Sequence, residues 1–72
     1  DKTLYEALKM TRNAVAKKNN VPPYIIFHDR TLTEMASLRP QSLEAMLRLN
    51  GVGGMKLNRF GNIFLEVIKE HL

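Results

Sequence analysis

Residues 19–27 read Asn19-Asn20-Val21-Pro22-Pro23-Tyr24-Ile25-Ile26-Phe27, and the fold class turns on how this stretch is taken. The β-branched and aromatic residues Tyr24, Ile25, Ile26 and Phe27 are of the types enriched in strands. Nothing else in the 72 residues offers a second strand, and a lone strand leaves its backbone groups unpaired. The two prolines cannot continue a helix and hold the chain extended. The stretch therefore reads as an extended connector that plugs apolar side chains into a helical core. The fold class that follows is all-α.

Upstream, Thr3-Leu4-Tyr5-Glu6 has the spacing of a capping box, in which the hydroxyl and the carboxylate satisfy amides at a helix start. Leu4, Leu8, Thr11 and Val15 fall within about 60° of one another on a helix, a buried stripe. Lys2, Lys9 and Arg12 lie within about 80° on roughly the opposite side. The helix is expected to stop near Asn19-Asn20.

Downstream, either Asp29 or Thr31 can cap a second helix, and Thr31-Leu32-Thr33-Glu34 is another capping box. Leu32, Met35, Ala36 and Leu38 form its apolar face, and Pro40 ends it. Ser42 caps a short helix with Leu43, Met46 and Leu47 inward. Asn50-Gly51-Val52-Gly53-Gly54 is the sharpest break in the chain. Beyond it Leu57, Phe60, Phe64, Leu65, Ile68 and Leu72 mark a long last helix. Gly61 inside that pattern either kinks the helix or admits a close neighbour.

Composition narrows the function classes. One small domain has no room for a deep substrate cleft. Cysteine is absent, which removes disulfides, a thiol nucleophile and Cys-type zinc sites. His28 and His71 are the only histidines, and neither has a metal-ligand partner at suitable spacing. No phosphate-loop motif is present. The longest apolar run, Ile25-Ile26-Phe27, is far short of the roughly 20 residues a membrane span needs. No catalytic constellation, cofactor site or metal site is expected.

The net charge is +4, and it is unevenly spread. Residues 1–18 carry Lys2, Lys9, Arg12, Lys17 and Lys18 against Asp1 and Glu6, a local +3. Residues 48–59 carry Arg48, Lys56 and Arg59 with no acid, another +3. Such basic faces suit an anionic partner, or serve simply as a solvated surface. Two places point toward nucleic acid. At the glycine break, a helix beginning directly after the hairpin presents unpaired amides to a phosphate, with Lys56 and Arg59 in its first turns. The bland alternative is a tight connection with Val52 buried. At the proline loop, an outward Tyr24 would stack a base while Lys9 and Arg12 hold phosphates. The alternative is that Tyr24 packs inward beside Ile25 and Phe27.

Assembled in order, these segments resemble an HRDC domain, the helicase-and-RNase-D C-terminal module. The match runs through Leu4, Leu8 and Val15, then Val21-Pro22-Pro23-Tyr24-Ile25-Ile26-Phe27, and Asp29 with Thr31-Leu32. It continues in Leu38-Arg39-Pro40, Ser42-Leu43-Glu44, Asn50-Gly51-Val52-Gly53, Lys56-Leu57 and Phe60-Gly61. The Val-Pro-Pro-Tyr and Asn-Gly-Val-Gly segments are most similar to the bacterial RecQ-type helicases. Gly54 adds a flexible residue after the family's hairpin.

The resemblance implies that residues 1–72 are a single domain of a larger, cytoplasmic, nucleoid-associated DNA helicase acting in repair or recombination. The domain would be a compact bundle of about five short helices with a helix-hairpin-helix-like glycine turn, a monomer that tunes substrate recognition without catalysing anything. Its implied partner is single-stranded or partly single-stranded DNA, with Tyr24, Lys9 and Arg12 at the contact and Lys56 and Arg59 behind the hairpin. The alternative it leaves open is a docking module for another protein or for the parent helicase core.

Overall fold

The computed structural model describes residues 2–72. Five helices follow one another: α1 Lys2–Asn19, α2 Pro23–Ile26, α3 Asp29–Leu38, α4 Leu43–Leu47 and α5 Gly54–Glu70. No strand occurs among the described residues. The deciding stretch is not extended throughout. Pro22 is extended (φ −62°, ψ 148°), but Pro23 opens the single turn α2. The correction has a plain cause: a proline cannot continue a helix, yet its fixed φ suits the first helical position, where no amide donor is needed. The plugging role is as expected. Ile26 and Phe27 are fully buried, and the Phe27 ring meets the Phe64 ring edge-on at 5.0 Å.

Helix α1 ends where the asparagines foretold, with Asn20 in a left-handed conformation (φ 59°). Its buried face differs from expectation. Leu4, Leu8, Arg12 and Ala16 are inside, whereas Thr11 and Val15 are only half-buried. Steps of four residues advance about 40° each around a helix. The stripe therefore winds, and by the third turn it has reached Arg12. The helix is already running at Lys2, so Thr3 sits in its first turn rather than at the cap.

Neither proposed cap of α3 is used. His28 holds the cap position and Asp29 is the first helical residue. Thr31 is buried and donates its hydroxyl to the Asn50 carbonyl at 2.8 Å. Glu34 accepts from the Asn50 amide at 3.1 Å and from Asn50 Nδ2 at 2.9 Å. The pair that reads as a capping box is instead a clamp on the distant hairpin. Ser42 does cap α4, accepting from the Ala45 amide at 3.1 Å. Within α4 only Met46 is fully inward, while Leu43 and Leu47 remain exposed. Five residues make little more than one turn, too few to bury three neighbours.

In α5, Phe60, Phe64, Leu65 and Ile68 are buried and Leu57 is half-buried, while Leu72 lies beyond the helix and is exposed. Gly61 admits a close neighbour. A Cβ there would lie 3.0 Å from Leu43 Cδ2 and 2.8 Å from Leu57 Cδ1, so glycine lets α4 press against α5.

Candidate nucleic-acid interface

The proline loop presents Tyr24 outward. Its side chain is 56% exposed, although the residues two and three positions on are fully buried. The chain turns extended at Phe27 and His28, and the Tyr24 and His28 rings stack at 6.0 Å with planes 27° apart. The tyrosine is thus backed on one side and open to solvent elsewhere. Pro22 and Pro23 stiffen the backbone below it.

Arg12 has a different place from its charged neighbours. It is only 6% exposed. Its Nη1 donates to the Phe27 carbonyl at 3.2 Å and to Asp29 Oδ1 at 2.5 Å. Its buried Nε has no hydrogen-bond partner. The guanidinium spans the two residues that flank His28, so it fastens the downstream end of the tyrosine loop to α1. Its hydrogen bond, and then its charge, hold the Asp29 carboxyl below its ordinary value, with Lys9 adding a smaller pull. Asp29 is largely exposed, so the pair is neither fully wet nor fully dry.

Lys9 lies one turn before Arg12 and is exposed, with Nζ 6.0 Å from the centre of the half-buried Tyr5 ring. Arg30 also belongs to this face. It shares a shallow recess with Arg12, Pro23, Tyr24, His28 and Asp29. Its side chain is 79% exposed, with only a long 3.9 Å approach to Glu34. Sequence reasoning passed over Arg30 and His28. The signal was available: His28 is four residues beyond Tyr24, and Arg30 follows the one acid that can neutralise Arg12.

Lys56 and Arg59 are on the other side of α2, at the start of α5. They share a groove with Ile25 rather than with Tyr24. Arg59 reaches Asn19 Oδ1 at 3.5 Å and lies over the Phe60 ring at 4.9 Å. The structure therefore gathers Arg12, Tyr24 and Arg30 around one recess, with Lys9 near enough for its charge to act on Asp29, and Lys56 and Arg59 along a second groove.

The glycine hairpin is built inward. Val52 is buried. Gly51 adopts φ +83°, and a Cβ there would clash with Thr31 Oγ1. Its glycine therefore serves both a left-handed turn and close packing against α3. Beyond it α5 starts at Gly54 with no side-chain cap and no acid in its first turn. Among the described residues no group of three His, Cys, Asp or Glu could hold a metal ion, and no helix is long and apolar enough to cross a membrane.

Comparison with known proteins fits this architecture. Residues 1–68 match the family model of the HRDC domain. The chain is 51% identical to the ATP-dependent DNA helicase RecQ of Haemophilus influenzae, over 99% of this chain and 12% of that protein. Identity to the same-named helicase of Pasteurella multocida is 44%, over 99% of this chain and 11% of that protein. For Bacillus subtilis RecQ it is 37%, over 94% and 12%. The chain thus spans about one-eighth of the length of these curated relatives. The all-helical bundle and the near end-to-end match converge: this chain belongs to the HRDC domain family, the accessory, non-catalytic module of ATP-dependent DNA helicases.

Proposed function

We propose that this domain is an auxiliary nucleic-acid-binding module of a RecQ-type DNA helicase. It contacts single-stranded or partly single-stranded DNA weakly and tunes which DNA the parent enzyme engages in repair or recombination. The observation that carries the reading is the exposed Tyr24 ring on a proline-stiffened turn. An aromatic face of this kind stacks any base, contributing about 1–3 kcal/mol without sequence preference. Lys9 and Arg30 flank it and hold phosphates. Arg12 supports the contact from beneath, because its donors are directed to Phe27 and Asp29. Lys56 and Arg59 add secondary attraction from the neighbouring face.

Fluorescence anisotropy with a labelled oligonucleotide at several salt concentrations tests this. Neutralising about three or four phosphates of a single strand gives a log–log salt slope of roughly −2 to −3. Tyr24→Ala is expected to weaken binding while leaving that slope nearly unchanged. Binding that ignores salt, or a Tyr24→Ala variant with unaltered affinity, would defeat the proposal.

A further inference from the structure

The proposed DNA contact centred on Tyr24 leaves the apolar part of a second groove unused. This groove, of about 320 Å³, runs between the end of α1, α2 and the start of α5. Val21, Ile25, Met55 and Phe60 give it apolar walls, and Lys56 and Arg59 line it as well. Met55 is 81% exposed and Ile25 44% exposed. Two apolar side chains held open to water beside a pair of cations give the groove both an apolar and a charged element for a partner to meet.

The charge around the groove has one sign. No carboxylate lines it. Lys17 and Lys18 close the last turn of α1. The start of α5, without a cap or a nearby acid, adds the positive end of a helix dipole. An occupant must therefore be both acidic and apolar.

A nucleic-acid strand meets only half of that demand. Phe60 is buried, so the groove offers no open ring on which a base could stack. Aliphatic and thioether walls instead suit leucine-like or phenylalanine-like side chains, and methionine re-packs readily around them.

We propose that this groove docks an acidic peptide segment of a partner protein. Apolar side chains of the segment enter between Ile25 and Met55, and flanking carboxylates pair with Lys56 and Arg59. Tyr24 takes no part. Peptide and DNA share only the two basic side chains of α5, so each weakens the other modestly.

The test titrates the isotope-labelled 72-residue chain with a short synthetic peptide carrying a central Leu-Phe pair between glutamates. Two control peptides replace Leu-Phe by Ala-Ala or the glutamates by lysines. Amide resonances of Val21, Ile25, Met55 and Arg59 are expected to shift with the first peptide alone. Lys56→Glu together with Arg59→Glu is expected to lower its affinity about tenfold or more, the scale of one lost charge-assisted hydrogen bond. Tyr24→Ala is expected to leave it within about twofold, as for a remote surface change. Absence of groove shifts overturns the proposal, as does equal binding of either control peptide. So does an oligonucleotide that fills the groove and is displaced by Met55→Glu. Because Tyr24→Ala affects DNA alone, failure of the DNA reading and failure of the peptide reading are separable.

Discussion

The proline loop and the glycine hairpin solve opposite problems with different helices. The first is fastened to α1, where Arg12 reaches Phe27 and Asp29, and the second to α3, where Thr31 and Glu34 reach Asn50. In the proline loop, stiffness comes from the chain itself, and a large aromatic is left outside. In the glycine hairpin, permissiveness comes from the chain, stiffness comes from α3, and the only large side chain, Val52, is tucked in. A loop that must present a group benefits from a rigid backbone. A loop that must fit beneath a neighbour benefits from having no side chain.

The sharpest way to break the comparison is to give the hairpin a side chain. Gly51→Val forces a β-branched residue to φ +83° and against Thr31 Oγ1. Left-handed strain and overpacking together cost about 3 kcal/mol, which lowers Tm by roughly 12–24 °C in a domain this small. Gly53→Ala is the control. Nothing lies within 4 Å of its added Cβ, and thermal melts should place it within about 0.5 kcal/mol of the parent chain.

In the proline loop the corresponding change acts on binding and spares stability. Tyr24→Ala should reduce oligonucleotide affinity by about 1–3 kcal/mol, roughly 5- to 150-fold, with an unchanged melting curve. If the melt collapses, the ring is a packing element and the contrast between the loops fails.

Arg12 and Lys9 sharpen the comparison further, because both are basic residues of α1 with different placements. Lys9→Ala should shorten the salt slope by about 0.7, the signature of one lost phosphate contact to a single strand. Arg12→Ala should lower Tm and weaken DNA binding through the loop it fastens, with the slope intact. A slope change in Arg12→Ala would show that its guanidinium swings out to the strand.

The smallest effect is on pH. Asp29 is held below its ordinary 3.8 by the Arg12 hydrogen bond and charge, and Glu34 below its ordinary 4.5 by two hydrogen bonds from Asn50. A carboxyl depressed by folding contributes stability that is complete above its ordinary value and lost as pH falls through the lower folded value. Melts taken downward from about pH 5 should show this loss. Arg12→Ala should remove the Asp29 share and Glu34→Gln the Glu34 share, each flattening the acid limb.

The sequence was informative where a rule is local. Ser42 caps its helix, Asn19-Asn20 ends α1, and the spacing of Phe60, Phe64 and Ile68 marks the inner face of α5. It misled where a residue's partner lies far along the chain. Thr31 and Glu34 have a capping-box spacing, yet their hydrogen bonds go to Asn50, and no local pattern encodes that reach. Arg12 has the polar character of a surface residue, and only the winding of the Leu4–Leu8 stripe, together with an acid at Asp29, places it inside. Tyr24 could not be oriented from composition, because its neighbours Ile26 and Phe27 do go inward. Its exposure depends on the single turn that Pro23 starts.

The ten residues of α3 have a consequence for how the molecule opens. Its first residue, Asp29, receives Arg12 of α1, while Thr31 and Glu34 hold Asn50 of the hairpin. A fluctuation that melts α3 releases the hairpin outright but removes only one of the two ties to Arg12, the other being the Phe27 carbonyl. The two loops therefore open as separate units. In backbone deuterium exchange, Glu34→Gln should speed the amide of Val52 and leave that of Ile25 as protected as before.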